Sequence, residues 1–210
     1  MISLNSNGVA QVPAFALGKP VVMLNLSVRK GRFSYDPNIA YGLNFKPWIF
    51  DNWFHYRLID KPNFELRTGC NVSMFFSEYK SADTSGIWYG QRYFTPELAG
   101  TFKFAKNRSL AAMIWYDIGV EPNTISGLFY NLMYDRYGIQ AGRHVTFGVN
   151  VQLFYIDYTG NNDGFFISPK VSATSSRLPL TLFFQGIQPF TSNMVPFPSF
   201  QCNLGVGFIF

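Results

Sequence analysis

Residues 199–210 read SFQCNLGVGFIF. Taken backwards in steps of two, Phe210, Phe208, Val206, Leu204, Cys202 and Phe200 are apolar. The alternate set, Ile209, Gly207, Gly205, Asn203, Gln201 and Ser199, turns small and then polar away from the end. A strict period of two is the mark of a β-strand whose two faces meet different surroundings. One such strand needs a sheet of similar ones around it.

The rest of the chain supplies them. Val22, Leu24, Leu26 and Val28 alternate with Met23, Asn25, Ser27 and Arg29, and this strand is expected to run through Phe33 and Tyr35 to a turn at Asp36–Pro37–Asn38. The return through Ile39, Tyr41, Leu43 and Phe45 meets an interruption at Pro47–Trp48 and resumes over Trp53 to Ile59, as one strand or two. Leu66 to Phe76, Ile87 to Phe104, Leu110 to Ile118 and Leu128 to Tyr134 follow. The sharpest alternation sets Val145, Phe147, Val149, Val151, Leu153 and Tyr155 against His144, Thr146, Gly148, Asn150 and Gln152. Segments over Phe165–Ala173 and Leu178–Gln188 lead into the last strand. The count is about ten, with eight to twelve as bounds. Most are longer than the ~5–6 residues of a globular strand and match the ~9–11 needed to cross a bilayer at a tilt.

Composition points the same way. Hydrophobic residues make up 48% and charged ones 14%, well below the roughly one quarter charged of a soluble domain. Aromatics reach 19%, with 23 Phe and 12 Tyr, an amount that a barrel displays as interfacial girdles. No apolar run approaches the roughly 18 residues of a membrane-spanning helix. The net charge of +5 comes from scattered Lys and Arg, which argues against nucleic acid as a partner. Cys70 and Cys202 fall on apolar parities and read as small hydrophobes, so neither a disulfide, a metal nor any cofactor is expected. Residues 1–18 read as a polar lead, with 19–210 as the barrel; Met1 is either native or the start of a mature chain, since no signal-peptide pattern precedes the strands.

The aromatic-ended last strand resembles the closing strand of bacterial outer-membrane β-barrels. The chain as a whole resembles an uncharacterised group of small outer-membrane proteins from Bacteroidetes-type bacteria. The resemblance implies a closed antiparallel up-and-down transmembrane β-barrel in the outer membrane. Tight turns at Asp60–Asn63, Lys106–Ser109, Ala141–Arg143 and Ser175–Arg177 alternate with longer connections near 80–86, 119–125 and 189–198. By the family's rule the tight turns, both termini and the polar lead are periplasmic. Outer-membrane lipids, lipopolysaccharide among them, are then the immediate partners.

The inward parity carries Arg29, His55, Arg57, Glu65, Arg67, Asn71, Asp117, Asn131, Asp135, His144, Asn150, Gln152 and Asn203. Charges of both signs in a small lumen must pair or stay hydrated, so a mostly filled polar interior is expected. The deacylase-type pattern of His followed two residues later by Ser-Asn is absent around His55 and His144, and no catalytic set is assigned. Asp157–Gly164 lacks the ligand spacing of a calcium loop and reads as a tight hairpin. The stretch Pro189, Phe190, Met194, Val195, Pro196, Phe197, Pro198 is stiff and apolar where a loop should meet water, which suggests docking on other outer-membrane proteins. Trp48–Ile49–Phe50 fits a girdle. The functional expectation is therefore a non-enzymatic structural or accessory subunit of an outer-membrane complex. A narrow pore for small solutes is the alternative, and a soluble β-sandwich or lipocalin-like binder the third reading.

Overall fold

Alternating strands with lipid on one side can persist only if the sheet has no free edge, and the computed structural model shows a sheet closed on itself. It describes residues 1–81, 84–122, 124–160, 162–194 and 200–209, with the backbone alone at 79–81 and 84–87. The described strands are β1 (Ile2–Asn5), β2 (Val21–Asn25), β3 (Val28–Lys30), β4 (Phe33–Gly42), β5 (Pro47–Asp60), β6 (Phe64–Ser81), β7 (Thr84–Ala105), β8 (Arg108–Gly119), β9 (Gly127–Ala141), β10 (Val145–Tyr158), β11 (Asn162–Ser175), β12 (Leu180–Ser192) and β13 (Gln201–Phe208). From β4 onward each pairs antiparallel with the next; β1 pairs with β13 on one side and β2 on the other, and β2 pairs with β4. β2 and β3 lie end to end along β4. They count as two halves of one strand, so the ring has twelve.

Two strands separate this ring from the expected ten. The first is β1. Residues 1–18 are not a lead set apart from the barrel: Ile2↔Phe208 and Asn5↔Gly205 pairs close the ring, and Ser3 and Asn5 face inward while Ile2 and Leu4 face out. Four residues give only two periods, too few to stand out as a strand. The second arises because the chain does not turn at Asp36–Pro37–Asn38. The turn comes earlier, over Gly31 and Arg32, and Asp36, Pro37 and Asn38 continue β4 opposite Trp53, Asn52 and Asp51. Pro37 is tolerated because it faces the Leu26–Ser27 break between β2 and β3, where no ladder N–H is needed. The connection then falls between Gly42 and Pro47, so 39–59 belongs to two strands.

β13 shows why the quoted stretch alternates as it does. Leu204 and Phe208 are exposed on the outside while Asn203 is buried inside. A Cβ at Gly205 would lie 2.2 Å from the Phe183 ring, so the small residue leaves room for that ring to lie across the strand. Ser199 and Phe210 fall outside the described residues.

The outer surface carries Leu98, Ile114, Leu132, Val171 and Leu182, all exposed. Among the described residues no helix and no second sheet covers them, which removes the soluble-sandwich reading. Trp48 and Ile49 are buried inside the ring with Val21, Met23 and Ala40, not placed on an outer girdle.

Leu132 lies near the middle of β9, outward and beside inward Asn131. Leu132→Arg should destabilise the folded barrel by about 2–4 kcal/mol in phospholipid vesicles. Urea unfolding followed by Trp fluorescence measures it, and an unchanged midpoint would mean that lipid is not the solvent for this face.

Candidate functional site

Residues 6–20 join β1 to β2 and do not stay outside. Leu17 N–H donates to Gly8 O (2.8 Å), Ala10 N–H to Phe15 O (2.9 Å) and Phe15 N–H to Val12 O (2.9 Å), with a bridge between Val9 and Ala16. These bonds fold the segment into a hairpin, and it lies inside the lumen: Val9, Ala10, Val12 and Ala14 are buried. Val9, Val12 and Ala14 pack against an inward apolar layer of Trp53, Trp115, Phe129, Phe154, Ile156, Phe166 and Ile187, and Ala10 against Val21, Ala40, Trp48 and Ile49. The layer is continuous, with Trp115 stacked on Phe129 (ring centroids 4.4 Å) and Phe154 on Phe166 (5.0 Å). Phe15 stacks on Tyr158 at 5.7 Å.

Among the described residues the polar ties to the wall sit at the neck. Asn7 N–H donates to Asn203 Oδ1 (3.2 Å) and Asn7 Nδ2 to Cys202 O (3.4 Å), while Asn7 Oδ1 accepts from Gly18 N–H (2.9 Å). Among the described residues no hydrogen bond links 8–18 to the wall beyond Asn7. The hairpin is held by apolar contact.

The plug divides the lumen into two cavities. The outer, toward the end with the longer connections, is about 690 Å³; the inner, toward the tight turns, is about 710 Å³. Ala10, Gln11, Trp53 and Trp115 line both, and mark the constriction.

The inner cavity holds most of the sequence-derived lumen set: Arg29, His55, Arg57, Glu65, Arg67, Asn131, Asp135, Asn150, Gln152 and Asn203. They form chains. Asn131 Nδ2 donates to Gln152 Oε1 (2.9 Å), Gln152 Nε2 to Asn150 Oδ1 (3.2 Å) and Asn150 Nδ2 to Asp135 Oδ1 (2.8 Å). Arg67 Nε pairs with Glu97 Oε1 at 3.0 Å, and Arg57 pairs with Asp60. His55 sits between two carboxylates, Asp36 (2.8 Å) and Glu97 (3.5 Å). Both ring nitrogens are thereby engaged, which leaves none to activate a hydroxyl.

Asn71 and Asp117 lie instead on the outer cavity. His144 joins neither: it stays at the tight-turn rim, where Arg177 (2.8 Å) and Ser176 (3.4 Å) contact its ring. The sequence reading missed Asp36, Asp51, Glu97, Lys170 and Gln185 on the inward face. Each shares the inward parity of its strand, but Asp36 stands in the turn-forming Asp36–Pro37–Asn38 stretch, and the alternation around Lys170 and Gln185 is weak.

The apolar loop is shorter than expected. Pro189 and Phe190 belong to β12, and Pro189 sits at a register shift opposite Phe166, where its missing N–H is harmless. Phe190 stacks on Phe165 (5.3 Å), and Met194 packs on the lumen's apolar layer rather than projecting outward. Val195, Pro196, Phe197 and Pro198 lie outside the described residues. At the outer rim Glu121 accepts from Arg92 N–H (2.7 Å) and Nε (2.5 Å). These bonds hold its carboxyl below the usual glutamate range. Among the described residues no group of three or more His, Cys, Asp and Glu is placed to hold a metal ion.

No protein-family model matches the chain, and no curated protein sequence matches it. Solved structures do. The NanC porin aligns with a TM-score of 0.61 at 10% identity, covering 100% of each chain. The KdgM porin aligns at 0.59 and 11% identity, covering 100% of this chain and 97% of that one. A KdgM porin in complex with disordered oligogalacturonate gives 0.59, 12%, 100% and 98%. The likeness extends over the whole chain and shows that it shares the closed antiparallel barrel fold of these porins.

Gly8 is where the plug passes the wall most closely. A Cβ there would lie 2.5 Å from the Trp48 ring and 2.9 Å from Val21. Gly8→Leu should leave the strand ladder intact and expel the hairpin. Limited proteolysis of refolded barrel then cleaves within 8–18 in the variant and spares the wild type; equal resistance in both would show the hairpin tolerates the added side chain.

Proposed function

We propose that this chain is a narrow outer-membrane pore for small solutes, with the 8–18 hairpin as its restriction. The observation that carries the reading is the pair of cavities meeting at Ala10, Gln11, Trp53 and Trp115. A lumen filled by salt bridges alone would leave no such path. The porin-type fold supports it.

Oligogalacturonate, found with the KdgM porin, is a polyanion. The inner cavity of this chain offers Arg29, Arg136 and Lys170, which form no ion pair among the described residues. The outer cavity offers an anion no Lys, Arg or His among the described residues, so this barrel is not built along its whole length for such a substrate. In the proposed orientation the tight turns face the periplasm. An accessory-subunit role rests on the 189–198 stretch, where Met194 points into the lumen and Phe190 is already stacked; it has less support than the pore.

Planar-bilayer recordings test the proposal. Wild type should give small discrete steps. Replacing 8–18 with a short Gly-Ser link should enlarge them, and Trp53→Ala should do so to a lesser degree. If refolded deletion variant conducts no more than wild type, the hairpin is not the restriction; if neither conducts, the pore reading fails.

A further inference from the structure

The two halves of the lumen differ in chemistry. In the inner cavity acids and bases face each other and several are paired. The outer cavity has two carboxylates, Asp51 and Asp117, and no basic side chain among the described residues. Asp51 is buried. Its Oδ1 accepts from Asn71 Nδ2 (3.1 Å) and its Oδ2 from Asn38 Nδ2 (3.5 Å). Asp117 accepts from Thr95 Oγ1 (2.5 Å) and Tyr158 Oη (2.5 Å). All four donors are neutral. Hydrogen bonds of this kind orient a carboxylate but leave its charge without a counter-charge, and a charge withdrawn from water favours a positive partner strongly.

The walls around those carboxylates are aromatic: Trp48, Trp53, Tyr93 and Tyr158. Ring faces attract cations, Trp most of all, and do so more strongly when the cation is weakly hydrated. Trp53 is 3% exposed, and its indole N–H has no acceptor among the described residues. A buried donor without an acceptor is unusual in a folded protein and is matched by a ligand that carries an oxygen. A small inorganic ion would meet the carboxylates but gain little from the rings. A neutral apolar molecule would meet the rings and leave the charges unanswered.

We propose that the outer chamber binds an organic ammonium ion bearing a hydroxyl or carbonyl. Its positive end lies against Asp51 and Asp117, and its alkyl groups against Trp48, Tyr93 and Tyr158. The proposal names a solute class for the pore proposed above and rests on the lumen being reachable from that end. It does not require that solutes pass through.

The test is binding, measured apart from conductance. Choline chloride is titrated into refolded barrel in detergent and followed by Trp fluorescence, since Trp48, Trp53 and Trp115 border the cavity. Choline should give a saturable change. Its neutral carbon isostere, dimethylbutanol, should bind at least about tenfold more weakly. The double variant Asp51→Asn/Asp117→Asn should weaken choline by a similar factor, and where it does not refold, Asp117→Asn alone should shift the curve in the same direction. KCl over the same range should leave the signal unchanged. Equal responses to choline and dimethylbutanol, reproduction of the response by KCl, or variants that bind as wild type would each overturn the proposal. Saturable, Asp-dependent choline binding in a barrel that shows no conductance would uphold the site and reject the pore.

Discussion

Inside a bilayer a backbone N–H facing lipid finds no water, so a sheet survives there only when its edges meet. In this chain the meeting is made by four residues. Ile2–Asn5 fills the gap between β13 and β2, turning Ser3 and Asn5 inward and Ile2 and Leu4 outward. The inward pair is tied into the wall, since Asn203 Nδ2 donates to Asn5 Oδ1 and Asn5 Nδ2 to Ser3 Oγ. Once β1 is committed to that position, the chain leaves it at the long-connection end and must return to start β2 alongside. The intervening residues have only two places to go, over the mouth or into the lumen. Their apolar composition, VAQVPAFAL over 9–17, favours the lumen, where an apolar layer awaits them. Ring closure and lumen obstruction are thus consequences of one piece of chain.

What could be read in advance follows from contrast between solvents. β6, β8 and β10 separate lipid from a hydrated lumen along much of their length, so their residues alternate visibly and the inward polar set was legible there. The hairpin meets no such contrast: it lies within the lumen, packed on protein between two cavities. No period is imposed on it, and VAQVPAFAL carries no pattern from which its place could be deduced. The same holds for the ring it packs against. Phe129, Phe154 and Phe166 are fully buried on the inward parity, where an empty lumen would have had polar residues. Their presence among Asn131, Gln152 and Ser168 was the available sign that something apolar occupies the centre. Asp36–Pro37–Asn38 misled for a different reason: its turn-forming chemistry is real, but Pro37 is used to face a break in the neighbouring strand.

The charges are distributed according to what can reach them. In the inner half Glu97 is nearly inaccessible and is met by Arg67 and His55, as a buried acid needs to be. Asp36 accepts from Ser34 and Ser27 as well as meeting His55. In the outer cavity Asp51 and Asp117 are met by amides and hydroxyls, and among the described residues no basic side chain lines it. The two halves therefore present opposite problems to a solute: the inner offers an internally compensated network with some free cations, the outer an aromatic cup with unanswered negative charge.

The hairpin sets how these halves communicate. Burial of Val9, Val12 and Ala14 contributes on the order of 4 kcal/mol as an upper estimate, with no wall hydrogen bonds along 8–18 to add to it. Withdrawal would also wet Phe129, Phe154 and Phe166, which adds to its cost. In the pore proposed above, a solute would run past Ala10 and Gln11 and between that backbone and the Trp53–Trp115 pair, where the two cavities meet. Gln11 is the one polar side chain of the hairpin tip shared by both cavities. In that proposed pore it is the group best placed to replace a solute's solvating water, so the tip would serve the pathway as well as obstruct it.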